Sequence, residues 1–236
     1  MPPPRGEPLT PRKNGQGVAL ALPARSLMKE RAYGEIKRGI LAGDFPPGSF
    51  VAERQLAARL GMSKTPVRAA LERLETEGFV TTSPQQGVVI RDVTVHEVAD
   101  YYEIRAALET YVVRTVAGRL TAEQAQRLRA NLKALAAARD GADVLRAVAL
   151  DAEFHILFCE FLGNQEVLRV MGQLREKSQR VITKVFQSSP GRVAGSYEEH
   201  RAIAAAVLGG DAARAARLME EHLEYGKQHL LSPRRG

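Results

Sequence analysis

Residues 60–80 constrain the fold of this chain most, because they have the pattern of a tight turn between two helices. Gly61 ends an apolar helical segment, and Ser63 stands where a polar side chain can cap the next helix. Pro66 falls in the first turn of that helix, where a missing N–H is tolerated. An apolar stripe at helical spacing follows: Val67, Ala70, Leu71 and Leu74. The segment predicts a helix-turn-helix.

The opposite face of the second helix carries Lys64, Thr65 and Arg68. Recognition helices contact base edges through their N-terminal residues, and cations with a hydroxyl suit the acceptors of the major groove and the nearby phosphates. A solvated helix face is the alternative interpretation of these charges. The motif as a whole favours contact with DNA.

The flanking residues complete a winged helix. We predict a first helix over residues 26–42 and a second over 53–60, ahead of the reading helix. Two short strands, 79–82 and 88–91, flank a hairpin tip at 83–87 and would form the wing.

Length and charge are consistent with this interpretation. A chain of 236 residues with 44% hydrophobic residues can form two domains, each with a core. The net charge of +7 favours polyanions, but residues 1–25 supply +3 of it, so the placement of the charges indicates DNA binding more than their sum does. No apolar run approaches the roughly 20 residues of a membrane span and no signal core is present, which predicts a cytoplasmic protein without a membrane partner. The single cysteine, Cys159, lies in an apolar run and is predicted to fill the core.

From Thr94 onward the pattern is helical almost without interruption. A capping box at Thr94 and another at Thr121 open two helices, and four more are predicted at about 143–162, 165–186, 196–208 and 211–231. The predicted fold class is mainly α: an N-terminal winged helix-turn-helix with three helices and a small β-hairpin wing, then a C-terminal antiparallel all-helical bundle. The predicted division is a flexible arm at 1–25, the DNA-binding domain at 26–93, the helical domain at 94–231 and a tail at 232–236.

One carboxylate and three imidazoles are predicted to meet inside the bundle. Asp151 and His155 are four residues apart and share a helix face. His200 and His222 lie at similar distances on either side of the turn at Gly209 and Gly210, so an antiparallel hairpin brings them to similar heights. Such ligands suit Zn, Ni, Mn or Fe.

The N-terminal residues resemble the GntR family of bacterial transcription factors. The resemblance runs from Gly48 through Glu53 to the segment 62–68 and to Glu77 and Gly78. It implies the following DNA contacts: Arg54, Lys64, Thr65, Arg68 and Gly87. Two positions depart from the common pattern, because Lys64 stands where Arg is usual and Ala69 where Glu is usual. The ammonium group of Lys is a point charge, whereas the guanidinium group of Arg is a planar fork of donors, so Lys64 would contact guanine differently.

The helical part is similar to the FCD effector domain of the FadR-like branch of that family. The pattern is carried by the Asp151 and His155 pair, by Glu199 with His200, by the segment 219–222 and by Gly163 with Asn164. The resemblance implies a divalent metal, with zinc as the first choice, on Asp151, His155, His200 and His222. It also implies a small carboxylic-acid effector contacted by Arg105 and Asn164. Arg105 and Glu109 alone would read as a helix salt bridge.

The resulting functional hypothesis is a ligand-responsive transcription factor, a repressor, that binds double-stranded DNA as a homodimer on an inverted-repeat operator. It is expected not to be an enzyme. Two alternatives stay open at this point: a metal-dependent enzyme of small-acid metabolism fused to a DNA-binding domain, and a non-specific structural DNA-binding protein. Turnover of a small acid would favour the first alternative, and binding without operator preference would favour the second.

Overall fold

The computed structural model describes residues 24–83, 87–188 and 190–231. The predicted arm at 1–25 lies outside these residues except for its last two positions, as do the centre of the hairpin tip at 84–86 and the tail at 232–236. Within the described ranges the chain forms nine helices and three strands: α1 (Ala24–Ala42), β1 (Phe50–Val51), α2 (Glu53–Leu60), α3 (Lys64–Thr76), β2 (Val80–Ser83), β3 (Gly87–Ile90), α4 (Val95–Val116), α5 (Ala122–Asp140), α6 (Val144–Leu162), α7 (Gln165–Ser188), α8 (Pro190–Leu208) and α9 (Ala212–Leu231). The fold is a winged helix-turn-helix followed by a helical bundle, as predicted.

The helix-turn-helix forms where the local signals place it. Helix α2 ends at Gly61, whose backbone adopts the left-handed conformation with φ of 61° that favours glycine. Ser63 occupies the N-cap position of α3 in an extended conformation, but its side chain makes no capping hydrogen bond. The predicted stripe is buried, with Val67 and Leu74 fully enclosed. The orientation of α3 is therefore set by its apolar face, with no contribution from a side-chain cap.

The wing is a three-stranded antiparallel sheet in the order β1, β3, β2. Strand β2 pairs with β3 from Val80 opposite Ile90 to Ser83 opposite Gly87. The two-residue strand β1 was not predicted, because so short a strand has no periodicity to detect. Gly87 has φ of 101°, and a Cβ there would lie 3.2 Å from the carbonyl oxygen of Val51, so a side chain at this position would strain the wing.

The helical part begins with the predicted capping boxes. Thr94 and Thr121 each accept the backbone N–H three residues on, from Glu97 and Gln124, which return a side-chain hydrogen bond. Helix α8 begins at Pro190, six residues before the predicted start, because proline is tolerated in the first turn of a helix.

Two hydrophobic clusters hold most of the buried apolar side chains of these segments. One unites α1 to α3 with the sheet, and the other is built mainly from α4, α6, α8 and α9 around Phe154 and Phe158. Cys159 is buried in the second cluster, and burial raises the pKa of its thiol to about 12.

A division of the chain into two domains near residue 93 stays a prediction. Among the described residues, no helix has the length and hydropathy needed to span a membrane.

Candidate functional site

The reading face of α3 is exposed. Lys64 and Thr65 occupy its first turn, Arg68 follows one turn on, and Arg54 lies in the first turn of α2; all four are solvent-exposed. Arg54 and Lys64 have no ion-pair partner among the described residues. These cations are therefore free to contact phosphates or base edges.

Arg68 differs from these two because it is paired within the chain. Its Nη2 lies 3.2 Å from both carboxylate oxygens of Glu53, and its side chain is 65% exposed. Glu53 holds the guanidinium of Arg68 in place across the helix-turn-helix. Because an exposed ion pair of this kind contributes little stability, the guanidinium can still leave Glu53 and contact a base. Gly87 begins β3 opposite Ser83, and its lack of a side chain is needed for the close approach of Val51 in the sheet.

The three predicted histidine ligands converge in the centre of the bundle. His155 is on α6, His200 on α8 and His222 on α9, and all three are buried. The Nε2 atom of His222 lies 3.3 Å from the Nε2 atom of His155 and 3.3 Å from that of His200. Phe154 stacks on the His200 ring at 4.0 Å between centroids and fixes its plane.

Two carboxylates, the buried Glu109 and the partly buried Glu199, orient two of the imidazoles. Glu109 lies against Nδ1 of His155, and Glu199 lies 2.5 Å from Nδ1 of His222. Since an ionised carboxylate only accepts, each Nδ1–H donates and each Nε2 keeps its lone pair. Burial raises the pKa of each carboxyl, but the facing histidine and an arginine outweigh it and lower both to about 2. Burial lowers the pKa of His200 and also that of His222, where it outweighs the opposing effect of the Glu199 carboxylate, and this favours neutral rings.

This arrangement fits a divalent metal. Two nitrogens bound to one tetrahedral zinc at about 2.0–2.1 Å lie about 3.3 Å apart, which matches both Nε2 separations. The Nε2 atoms of His155 and His222, whose ring protons lie on Nδ1, repel each other at that distance unless a cation lies between them. Carboxylates that accept the remaining ring N–H are the usual partners of histidine ligands. Together, the donor set and its spacing are suited to zinc.

Asp151, the fourth predicted ligand, lies at the edge of this group. The ligand atoms of the three histidines all lie within 4.8 Å of one another, and Asp151 is not part of that set. Its Oδ1 is 3.6 Å from Nε2 of His200 and accepts a hydrogen bond of 2.7 Å from Ser196. A role for Asp151 as a ligand stays a prediction that requires a small shift of its side chain.

A cavity opens beside the histidines. Its first lobe has an empty space of about 380 Å³ and includes among its lining residues Tyr102, Arg105, Asp151, His155, Arg192 and His222. Arg105 is buried and donates from Nε to Glu109 over 2.8 Å. Arg192 donates to both oxygens of Glu199 at 2.8 and 2.9 Å. A small acid entering this lobe would meet two guanidinium groups beside the histidines.

Asn164, predicted to contact the effector, is not brought to this cavity. It is exposed at the start of α7, where its Oδ1 accepts the backbone N–H groups of Glu166 and Val167 at 3.0 and 3.2 Å. The side chain is thus used as the N-cap of α7.

One buried lysine connects the helix-turn-helix to the bundle. Lys37 on α1 is 7% exposed, and its Nζ donates to Glu77 over 2.9 Å, to Tyr33 over 2.5 Å and to Glu176 on α7 over 2.6 Å. Because α7 also lines the cavity, one helix touches both the cavity and the winged helix.

Sequence reasoning missed the roles of Glu109, Glu199 and Arg192. The sequence predicts Glu109 as the ion-pair partner of Arg105, and the structure has this pair. The second carboxylate oxygen of Glu109 also faces His155 on another helix. Arg192, Ser196 and Glu199 fall at helical spacing on one face of α8, and that periodicity was the available signal.

Comparison with known proteins agrees with this architecture. The family model described as "Bacterial regulatory proteins, gntR family" matches residues 28–90, and the FCD domain model matches residues 100–225.

Two relatives and one solved structure illustrate the similarity. The Nta operon transcriptional regulator of Aminobacter aminovorans is 36% identical over 136 residues, which cover 56% of this chain and 63% of that protein, somewhat under two thirds of its length. An HTH-type transcriptional regulator of Mycobacterium tuberculosis is 33% identical over 230 residues, covering 85% of this chain and 88% of its own. A GntR transcriptional regulator from Rhodococcus sp. RHA1 superimposes with a TM-score of 0.77 at 20% identity, covering 88% of this chain and 99% of that one, which shows the shared fold.

Proposed function

Because the chain belongs to the GntR family of bacterial regulators with an FCD domain, we propose that it is a repressor whose operator affinity is set by a bound divalent metal and a small carboxylic acid. It is a transcriptional regulator and not an enzyme. The observation that carries the proposal is the buried set of three Nε2 atoms next to a cavity containing arginines, in a chain that also has a winged helix.

The DNA-binding part of the proposal rests on the exposed cations of the helix-turn-helix. Arg68, Lys64 and Thr65 would enter the major groove with α3, while Arg54 and the wing near Gly87 would contact the backbone. A homodimer with two-fold symmetry would place two such faces on an inverted-repeat operator in the cytoplasm. The exposed Ile104 and Tyr111, which share a face of α4, support a dimer contact through the helical part.

The metal would be held by His155, His200 and His222, with Asp151 as a further ligand. Zinc is the first choice, with nickel, manganese or iron as alternatives. When bound, the ion would supply a Lewis-acidic position for a carboxylate oxygen. Arg105 would hold that carboxylate through its guanidinium, which Glu109 already orients.

Transmission to DNA would use two connections. One is the segment near residues 92–94, where the capping box of α4 begins. The other is the contact of Lys37 with Glu176, since a shift of α7 on effector binding changes where α1 is held. Occupying the operator would exclude polymerase, and release by the acid would relieve repression, provided that the acid binds more tightly to the free state.

The experiment combines operator selection with an effector screen. Zinc-loaded protein is used to select its operator from random duplexes, and a thermal-shift screen of small carboxylic acids follows. Acids that raise the melting temperature are then added to the protein–operator complex and followed by fluorescence anisotropy. The proposal predicts a preferred inverted repeat and its release by at least one acid that needs the metal.

Three results would contradict it. Binding without sequence preference would identify a structural DNA-binding protein. Failure to take up any divalent metal after reconstitution would remove the metal from the mechanism. Operator affinity that no acid changes would leave a regulator without an acid effector.

A further inference from the structure

The cavity has a second lobe whose wall is one face of α7. This lobe has an empty space of about 290 Å³ and includes Met171, Arg175 and Ser178 in its lining. It shares Arg105, Asp151, His155 and Ile182 with the first lobe. The two lobes therefore meet at the histidine centre, and a ligand bound there can extend toward α7.

The charges of the cavity are not all compensated. Arg105 is paired with Glu109, and Arg192 is paired with Glu199. Arg175 is partly buried, and its side chain has no ion pair or hydrogen bond with any side chain that the structure describes. The hydroxyl of Ser178, which lines the same lobe, donates a hydrogen bond to the carbonyl oxygen of Leu174. Arg175 is thus the cation of this lobe that lacks an anion.

A guanidinium in this position is suited to a carboxylate. It offers a planar fork of donors, and a charge-assisted pair with a carboxylate is stronger where water is partly excluded. Arg105 and Arg175 both line this lobe, so one compact ligand can contact both guanidinium groups.

We propose that Arg175 binds the second carboxylate of the effector, and hence that the effector is a short dicarboxylic acid. This rests on the proposed function, which puts the first carboxylate at the histidine centre beside Arg105. A monocarboxylic acid would fill the same centre and leave Arg175 without an anion. Arg175 is accordingly a specificity-determining residue for an acid with two charged ends.

Arg169 provides a matched control on the same helix. It lies six residues before Arg175, its side chain is 57% exposed, and it pairs with Glu166 at 2.7 Å. Arg169 does not line either lobe of the cavity. Its replacement removes an equal charge from α7 without touching the proposed subsite.

The test is titration calorimetry on the full chain loaded with zinc. The probes are malonate, succinate, glutarate and adipate, each compared with the monocarboxylate of the same chain length. Wild-type protein and Arg169→Gln are expected to bind the best dicarboxylate roughly tenfold to hundredfold more tightly than its monocarboxylate partner, as expected for a charge-assisted hydrogen bond. Arg175→Gln should lose that preference and keep the monocarboxylate affinity and the zinc content. Arg175→Lys should restore part of it, because it keeps the charge without the fork.

The outcomes separate this inference from the proposed function. Equal affinity of wild-type protein for both acids of every pair, or an undiminished preference in Arg175→Gln, overturns the role of Arg175 and leaves an acid-responsive regulator intact. Absence of binding by all probes in a protein that holds zinc and operator overturns it as well. In that case the acid-responsive part of the proposed function falls with it.

Discussion

Loading the histidine centre with zinc should raise the melting temperature of the protein, and removing one histidine should abolish the rise. A ligand that binds only the folded state contributes about 2.7 kcal/mol at one hundred times its Kd. For a chain of 236 residues, each kcal/mol shifts the melting temperature by about 2–4 °C, so we expect a rise of about 5–10 °C. The assay is differential scanning fluorimetry with zinc and then with excess chelator.

The critical variant is His222→Ala, because His222 lies 3.3 Å from both other Nε2 atoms. The variant will change the melting temperature of the metal-free protein, so the measured quantity is the difference between zinc-loaded and chelated samples. His96→Ala is the matched control, since His96 is exposed in the first turn of α4. The control should keep the full shift and bind up to one zinc per chain by elemental analysis. A zinc-induced shift of equal size in His222→Ala and wild type would refute the assignment of the centre.

Three further predictions concern the carboxylate behind the centre, the reading helix and the buried lysine. Glu199→Gln should lower zinc affinity about 10–100-fold in competition with a chromophoric chelator, because the carboxylate orients a ligand; unchanged affinity would contradict that role. Arg68→Ala should lose about 1–3 kcal/mol of discrimination between operator and scrambled DNA by anisotropy, while Arg54→Ala should weaken both about equally, and unchanged operator affinity in the first variant would exclude its base contact. Lys37→Met should cost about 1–3 kcal/mol in urea unfolding, because it removes the charge-assisted hydrogen bonds that the buried lysine donates to two partly exposed carboxylates, and a negligible loss would show that the network is not stabilising. Burial raises the pKa of Glu77, but the hydrogen bonds that its carboxylate accepts outweigh burial and lower the pKa below the ordinary value of 4.5. The stability that Glu77 contributes should therefore be present above pH 4.5 and be lost as the pH falls below that value. Lys37→Met should reduce this pH dependence.

Local signals account for the parts of the fold that could be predicted. The capping boxes at Thr94 and Thr121 and the glycine that ends α2 act within a few residues, so sequence alone fixes those helix ends. Pro190 has the appearance of a helix break in the sequence, and α8 nevertheless begins there because the first turn of a helix tolerates a missing N–H.

In the candidate site, too, some residues could be predicted from local geometry and others could not. His155, His200 and His222 were brought together by helix spacing and by the symmetry of one hairpin, both of which follow from regular geometry. The contacts of Glu109 with His155 and of Glu199 with His222 cross between helices, and their rotamers depend on packing that no short pattern encodes. Asn164 was assigned by resemblance, but its local role as the cap of α7 decided its position.

The central claim is that acid binding in the bundle and operator binding by the winged helix are coupled. The most direct test is calorimetric titration of zinc-loaded protein with the acid that best releases DNA, once alone and once with saturating operator. Linkage requires that an acid which weakens operator binding must itself bind more weakly by the same factor when operator is present. We predict a reduction of roughly 5–150-fold, the usual range of such coupling. Equal affinity with and without operator would show that the two sites are independent and would contradict the account.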